Sequence, residues 1–205
     1  MISPIPVRSS LDEETARAEV YGLLAALYYA PPTAELLSQL RVAVTEAPAP
    51  GAFLEEPWRE LIATARVMSD AEISSEYHGL FDGVGKPEVY LYGSHYLVGF
   101  LNDKPLAALR TDLAAIGLTR DEQMPETEDH IAYLCEVMRF LIAGDDVEIS
   151  NLTQQQAFFS VHLQPWVTQM CDTIADHPSA RFYATLAAFT RAFISVEAQG
   201  FDMMS

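Results

Sequence analysis

Residues 18–32 read Ala-Glu-Val-Tyr-Gly-Leu-Leu-Ala-Ala-Leu-Tyr-Tyr-Ala-Pro-Pro. Val20, Leu23, Leu24, Leu27 and Tyr28 recur at steps of three and four, the spacing of one helical face. Pro31 and Pro32 stop the pattern, because proline lacks the N–H a helix needs and clashes with the preceding turn. Upstream, Ser10 followed by Glu13 predicts a capping box at the start of this helix.

The same periodicity recurs outward from this stretch. A short helix is predicted from Ala34 to Thr45, then the loop Pro48-Ala-Pro-Gly51. Leu54, Trp58, Leu61, Ile62, Ala65 and Met68 make a second strong face, and Ile73, Tyr77, Leu80 and Phe81 a third. Between Asp82 and Gly93 the pattern breaks, with Val89 to Tyr92 extended but too short to nucleate a sheet. Ser94 is placed to cap a short helix, and Pro105 starts another that ends near Gly117. The polar segment Thr119 to Glu126 reads as a hinge. Four helices follow: Glu128 to Ala143, Thr153 to Leu163, Pro165 to Ala175, and a long one from Ala180 to Glu197 carrying Phe182, Leu186, Phe189 and Phe193. The expected fold is all-α. It is one domain over 1–205, a bundle of about ten helices, with N-terminal helices over about 10–117, a hinge near 118–127 and C-terminal helices over about 128–198.

Half of the 205 residues are hydrophobic, the composition of a packed domain rather than a disordered chain. Twelve Lys and Arg against 29 Asp and Glu give a net charge of −17. That charge argues against a nucleic-acid binder and against docking on anionic lipid, and favours a cationic partner. No basic–apolar leader opens the chain and no apolar run approaches the roughly 20 residues that span a bilayer, so a cytoplasmic protein without stable membrane insertion is expected. Cys135 and Cys171 form no CxxC pair, and one disulfide is the most they could make.

Few catalytic patterns are available. No Glu has a His three residues later, so the carboxylate bundle that holds two irons is excluded, and His-Glu-x-x-His is absent. Gly83-x-Gly85 lacks a third glycine and follows a helix rather than a strand, so no phosphate loop is present. Three polar constellations remain. Glu126-Thr127-Glu128-Asp129-His130 sits at a helix start, with Glu126, Asp129 and His130 able to share a face. It reads as cap and dipole chemistry, as acid–base groups, or as a ligand receptor. Tyr77-His78-Gly79-Leu80-Phe81 reads most simply as core, and His162-Leu163-Gln164-Pro165-Trp166 as a helix junction with a satisfied histidine.

Taken together, their order and spacing resemble the TorD/DmsD/NarJ family of chaperones for molybdoenzymes. Tyr77, Leu80 and Phe81 match that family's aromatic-x-x-Leu-Phe motif. Glu126, Asp129 and His130 match its Glu-Pro-x-Asp-His motif, with Glu128 at the free position and Thr127 where proline is usual. Tyr92-Gly93-Ser94-x-Tyr96-Leu97 looks like its aromatic–Gly/Glu–Ser segment, and Phe182-Tyr183-x-x-Leu186-Ala187 falls where it has a similar block. The resemblance covers about residues 12–198. It implies a binding protein and not an enzyme, which holds the twin-arginine leader or the apo form of a molybdopterin oxidoreductase precursor until its cofactor is inserted. It implies leader contacts from Glu126, Asp129, His130, Tyr77, Leu80, Phe81, Gly93, Ser94 and Tyr96, with Glu128 beside them. Asp129, as a receiver of arginine, is expected to be removable without cost to folding. The resemblance implies no metal and no cofactor beyond weak GTP binding, and a monomer able to exchange its C-terminal helices through the hinge. The competing reading is a small-molecule enzyme using Glu126, Asp129 and His130 as acid–base groups.

Overall fold

The computed structural model describes residues 7–43, 52–83, 86–121 and 124–203. Among them the chain forms ten helices: α1 (Val7–Tyr29), α2 (Ala34–Val42), α3 (Ala52–Val67), α4 (Asp70–Phe81), α5 (Gly93–Val98), α6 (Lys104–Ala115), α7 (Ile131–Ala143), α8 (Leu152–His162), α9 (Val167–Ala175) and α10 (Phe182–Asp202). The all-α reading holds, and no strand occurs among the described residues. The predicted loop at Pro48–Gly51 and the end of the second helix at Thr45 lie outside them.

Two packing axes organise the bundle. Helix α1 lies along α7, and α10 lies between α3 and α9 with α4 at its start. Contacts therefore cross the 118–127 segment in both directions, and one core serves both halves. Helix α10 buries Phe182, Leu186, Phe189, Phe193 and also Tyr183, Thr190, Ile194 and Phe201, more than one face, as an element with neighbours on several sides must.

Several buried polar groups inside this core find their partners on other helices. Arg17 on α1 donates to both carboxylate oxygens of Glu197 on α10 at 2.7 and 2.8 Å, and Tyr21 Oη donates to Glu197 at 3.0 Å. The same guanidinium reaches Gln155 Oε1 on α8 at 3.2 Å, and Gln155 Nε2 donates to the Leu141 carbonyl. A carboxylate as buried as Glu197 costs several kcal/mol to desolvate unless it is paired in this way. Glu76 on α4 does a second such task. It accepts from the N–H groups of Arg181, Phe182 and Tyr183 at 2.8, 3.2 and 2.8 Å, so that the unpaired donors opening α10 are capped from another helix.

Element ends differ from the sequence reading in instructive ways. Helix α1 already runs at Val7, so Ser10 lies inside it and does not begin it. Ser94 does not cap α5: Tyr92 occupies the cap position and offers no side chain to it, because the accepting oxygen comes from Asp129. Pro165 precedes α9 by two residues rather than opening it. Helix α6 ends as expected, with Gly117 at φ 76°, a conformation only glycine takes cheaply, and Leu118 N returning to the Leu113 carbonyl at 2.9 Å. Cys135 and Cys171 are both free and buried, and burial pushes both thiols up. No helix among the described residues is long and apolar enough to cross a membrane.

Candidate functional site

Two segments distant in sequence are fastened together at one edge of the bundle. Val89 N donates to the Leu80 carbonyl at the end of α4, which holds the bend before Tyr92 against that helix. Gly93 N then donates to the Asp129 carbonyl and Ile131 N to the Leu91 carbonyl, both at 2.9 Å, around a single antiparallel bridge between Tyr92 and His130. Of the stretch read as extended, Tyr92 is so and pairs with the polar pentad, whereas Val89 lies in a bend.

Glu126, Asp129 and His130 all precede α7, whose first residue is Ile131, so they do not share a helical face. Asp129 is 3% exposed. Its Oδ2 accepts from Ser94 N at 2.9 Å and from Ser94 Oγ at 2.5 Å, and its Oδ1 from Thr127 Oγ1 at 2.6 Å. A carboxylate so engaged holds α5 to the pentad, and the expectation that it could be removed without cost to folding does not survive its burial. His130, rather than Thr127 or Glu126, caps α7: its Nδ1 accepts from Ala132 N at 3.2 Å. Burial lowers its pKa to about 4, with Asp129 opposing, so the ring is neutral and its proton belongs on Nε2.

The other two carboxylates lie nearer the surface. Glu126 is half-buried and accepts from Tyr92 Oη; burial first, and then this carboxylate, push the Tyr92 phenol well up. Glu128 meets Arg110 of α6 through two parallel bonds of 2.9 Å. Burial acts to raise the Glu128 pKa, but the Arg110 bonds, a backbone N–H and the charges of Arg110 and Arg120 together outweigh it, and the net shift is downward. Arg110 was no part of the sequence reading; nothing in its local pattern signals a partner on the far side of the 118–127 segment.

The second motif sits close by. Tyr77 Oη donates to the Tyr29 and Tyr28 carbonyls at 2.9 and 3.2 Å, closing the end of α1, and its ring packs on Phe81 at 5.1 Å and Tyr183 at 5.8 Å. Leu80 is fully buried and Phe81 partly so, packed against the core. From here an aromatic row reaches the pentad: Tyr29 lies 5.8 Å from Tyr133, Tyr133 5.8 Å from His130, and His130 5.0 Å from Tyr92. Tyr133 and Tyr29 were missed because each reads as an ordinary helical-face aromatic.

On the other flank, Tyr96 stacks on Trp166 at 5.6 Å, and Trp166 Nε1 donates to the His162 carbonyl at 2.6 Å. Gly93 lies against that indole; a Cβ there would meet Nε1 at 3.0 Å. His162 pairs with Asp112 at 2.8 Å, the satisfied histidine its pattern suggested. Gly93, Ser94, Asp129 and His130 thus meet along one seam, with Glu126 joined to it through Tyr92 and Tyr96 beside it, whereas Tyr77, Leu80 and Phe81 pack into the core. Among the described residues no group of His, Cys, Asp or Glu is arranged to hold a metal ion.

Residues 48–172 match the family described as nitrate reductase delta subunit. The chain is 26% identical over 136 residues to the chaperone protein TorD of Vibrio atlanticus (strain LGP32), a match covering 62% of this chain and 63% of that one. It is 26% identical over 206 residues to the chaperone protein TorD of Shewanella loihica (strain ATCC BAA-1088 / PV-4), covering 90% and 92%. The chaperone protein TorD of Colwellia psychrerythraea (strain 34H / ATCC BAA-681) is 23% identical over 223 residues, covering 92% of each. In the Vibrio comparison the chain spans less than two thirds of its relative's length.

Proposed function

The chain belongs to the nitrate reductase delta subunit family, which takes in chaperones of the TorD type, and on that premise we propose that it is a cytoplasmic chaperone for the precursor of a molybdopterin oxidoreductase. The matched relatives are named chaperones, and the chain is a binding protein and not an enzyme. It holds the precursor's twin-arginine leader, or its apo form, and delays export until the cofactor is in place.

The observation that supports this most is the seam itself. Glu126 accepts from Tyr92 at the end of a row of aromatic rings and Glu128 follows two positions on, which suits a segment with a cationic end and an apolar body: charge sets the encounter rate and apolar burial the residence. In this reading Glu126 and Glu128 contact the arginines, while Asp129 and His130 act through the loop they fasten. Gly93, Ser94 and Tyr96 shape the wall beside it, and Tyr77, Leu80 and Phe81 support it. The chaperone needs no cofactor, binds GTP weakly at most, and works as a monomer able to exchange its C-terminal helices through residues 118–127. It takes no nucleic acid and no lipid.

The test is a pull-down from lysate of the source organism with wild-type and Glu126→Gln baits, read by mass spectrometry. Recovery of one molybdoenzyme precursor still bearing its leader, and depleted with the variant, is the expected result. Equal recovery of unrelated proteins by both baits would end this reading.

A further inference from the structure

The corner between α5 and α6 exposes apolar side chains in close succession: Leu97 41%, Val98 43%, Phe100 70% and Leu101 42%. Isolated apolar residues on a surface need no explanation, but contiguous ones mark an interaction site. The corner is a defined turn. Gly99 closes α5 at φ 82° with its N–H on the His95 carbonyl at 2.8 Å, Asn102 sits at φ 57°, and Asp103 caps α6. Directly beyond it lies a pocket of about 380 Å³ lined by Asn102, Asp103, Lys104, Leu106, Ala107 and Arg110. Arg110 is the arginine held on Glu128. Its side chain is half exposed, whereas that of Glu128 is 10% exposed.

The chain therefore displays an arginine receptor with an arginine already in it. A carboxylate that meets a guanidinium through two parallel bonds has the fork geometry that lysine cannot reproduce. The apolar corner is tied to the same loop, since Ser94 of α5 is bound to Asp129, the neighbour of Glu128. We infer that the α5–α6 corner and its pocket take an apolar peptide segment carrying an arginine, whose guanidinium replaces Arg110 on Glu128. This deepens the leader reading and rests on it. Arg110 is then an internal competitor: it satisfies Glu128 in the free protein, and its displacement into solvent is subtracted from the affinity of any client. The charge of −17 draws a cationic segment from a distance, although the pocket itself is lined by Lys104 and Arg110 against Asp103 alone.

The test uses the purified full chain and fluorescence anisotropy. The probe is a fluorescein-labelled peptide with an Arg-Arg pair followed by a leucine–alanine segment, and its control carries Lys-Lys. Arg110→Gln is expected to bind the Arg-Arg probe on the order of tenfold more tightly than wild type, the worth of about one charge-assisted pair, with a smaller gain for Lys-Lys. Arg110→Lys keeps a cation over Glu128 and should shift affinity the same way by less. Phe100→Ser, at an exposed position, should weaken binding several-fold with an unchanged melting temperature. Should both Arg110 variants bind no more tightly than wild type, or Phe100→Ser bind as well as wild type, the inference is overturned, while the leader reading stands as long as wild type prefers Arg-Arg to Lys-Lys. If wild type binds neither probe, both are overturned.

Discussion

Replacing Asp129 by Ala removes the acceptor for three donors at once, and its cost can be worked from their surroundings. Ser94 N is buried, has no second acceptor, and loses a bond of 2.9 Å to a charge. An amide stranded in this way costs about 1–3 kcal/mol. Ser94 Oγ is buried as well, but a hydroxyl rotates to find another acceptor; Thr127 Oγ1 is half-buried and turns to water. Together they add about 1–2 kcal/mol, which brings the whole to roughly 3 kcal/mol. For a chain of this length that corresponds to a melting temperature lower by about 6–12 °C. Thermal unfolding followed by far-ultraviolet circular dichroism reads it directly. A cycle with Ser94→Ala separates the pair from the loop, and should return a coupling of about 1 kcal/mol or more because the two side chains share one bond. An Asp129→Ala protein that melts with wild type would refute the claim that this carboxylate holds the seam, and would return Asp129 to the role of a surface receiver.

Three further outcomes are expected. His130 is neutral in the fold with a pKa of about 4, against roughly 6.5 unfolded, so the unfolded chain binds the extra proton: stability is full above about pH 6.5 and falls by about 3 kcal/mol as pH drops toward 4. Denaturant titrations over that window should therefore be flatter for His130→Gln, and parallel curves would remove His130 as the cause. Glu76→Gln keeps one acceptor oxygen but loses the charge that caps α10, and should cost about 2 kcal/mol, with faster hydrogen exchange at Phe182 and Tyr183; protection equal to wild type would show the cap to be dispensable. Gly93→Ala drives a Cβ to 3.0 Å from the Trp166 indole, and should cost about 1–3 kcal/mol and alter tryptophan fluorescence; an unchanged emission spectrum would mean that the loop yields freely.

Local chemistry was legible where it acts within a turn or two. The stripe at Val20 to Tyr28, the proline stop after it, and the glycine end of α6 each follow from interactions a few residues long, and each is where the periodicity put it. The failures share one cause. Ser94 looked like a cap because serine before a short helix usually is one, yet its oxygen faces Asp129, 35 positions later. The pentad looked like a first helical turn because carboxylates favour that place, but Asp129 and Glu128 are claimed by Ser94 and Arg110 instead, and α7 waits until Ile131.

From sequence come the helical class, the count of helices and the two motifs, because hydrophobic periodicity and capping are encoded by neighbours. Tertiary structure alone decided which carboxylate binds what. Arg17 meets Glu197, Glu76 meets the start of α10, and Arg110 meets Glu128, over separations of 180, 105 and 18 positions. A buried charge must find a partner, but any of 29 acids could meet any of 12 bases until packing brings particular ones together.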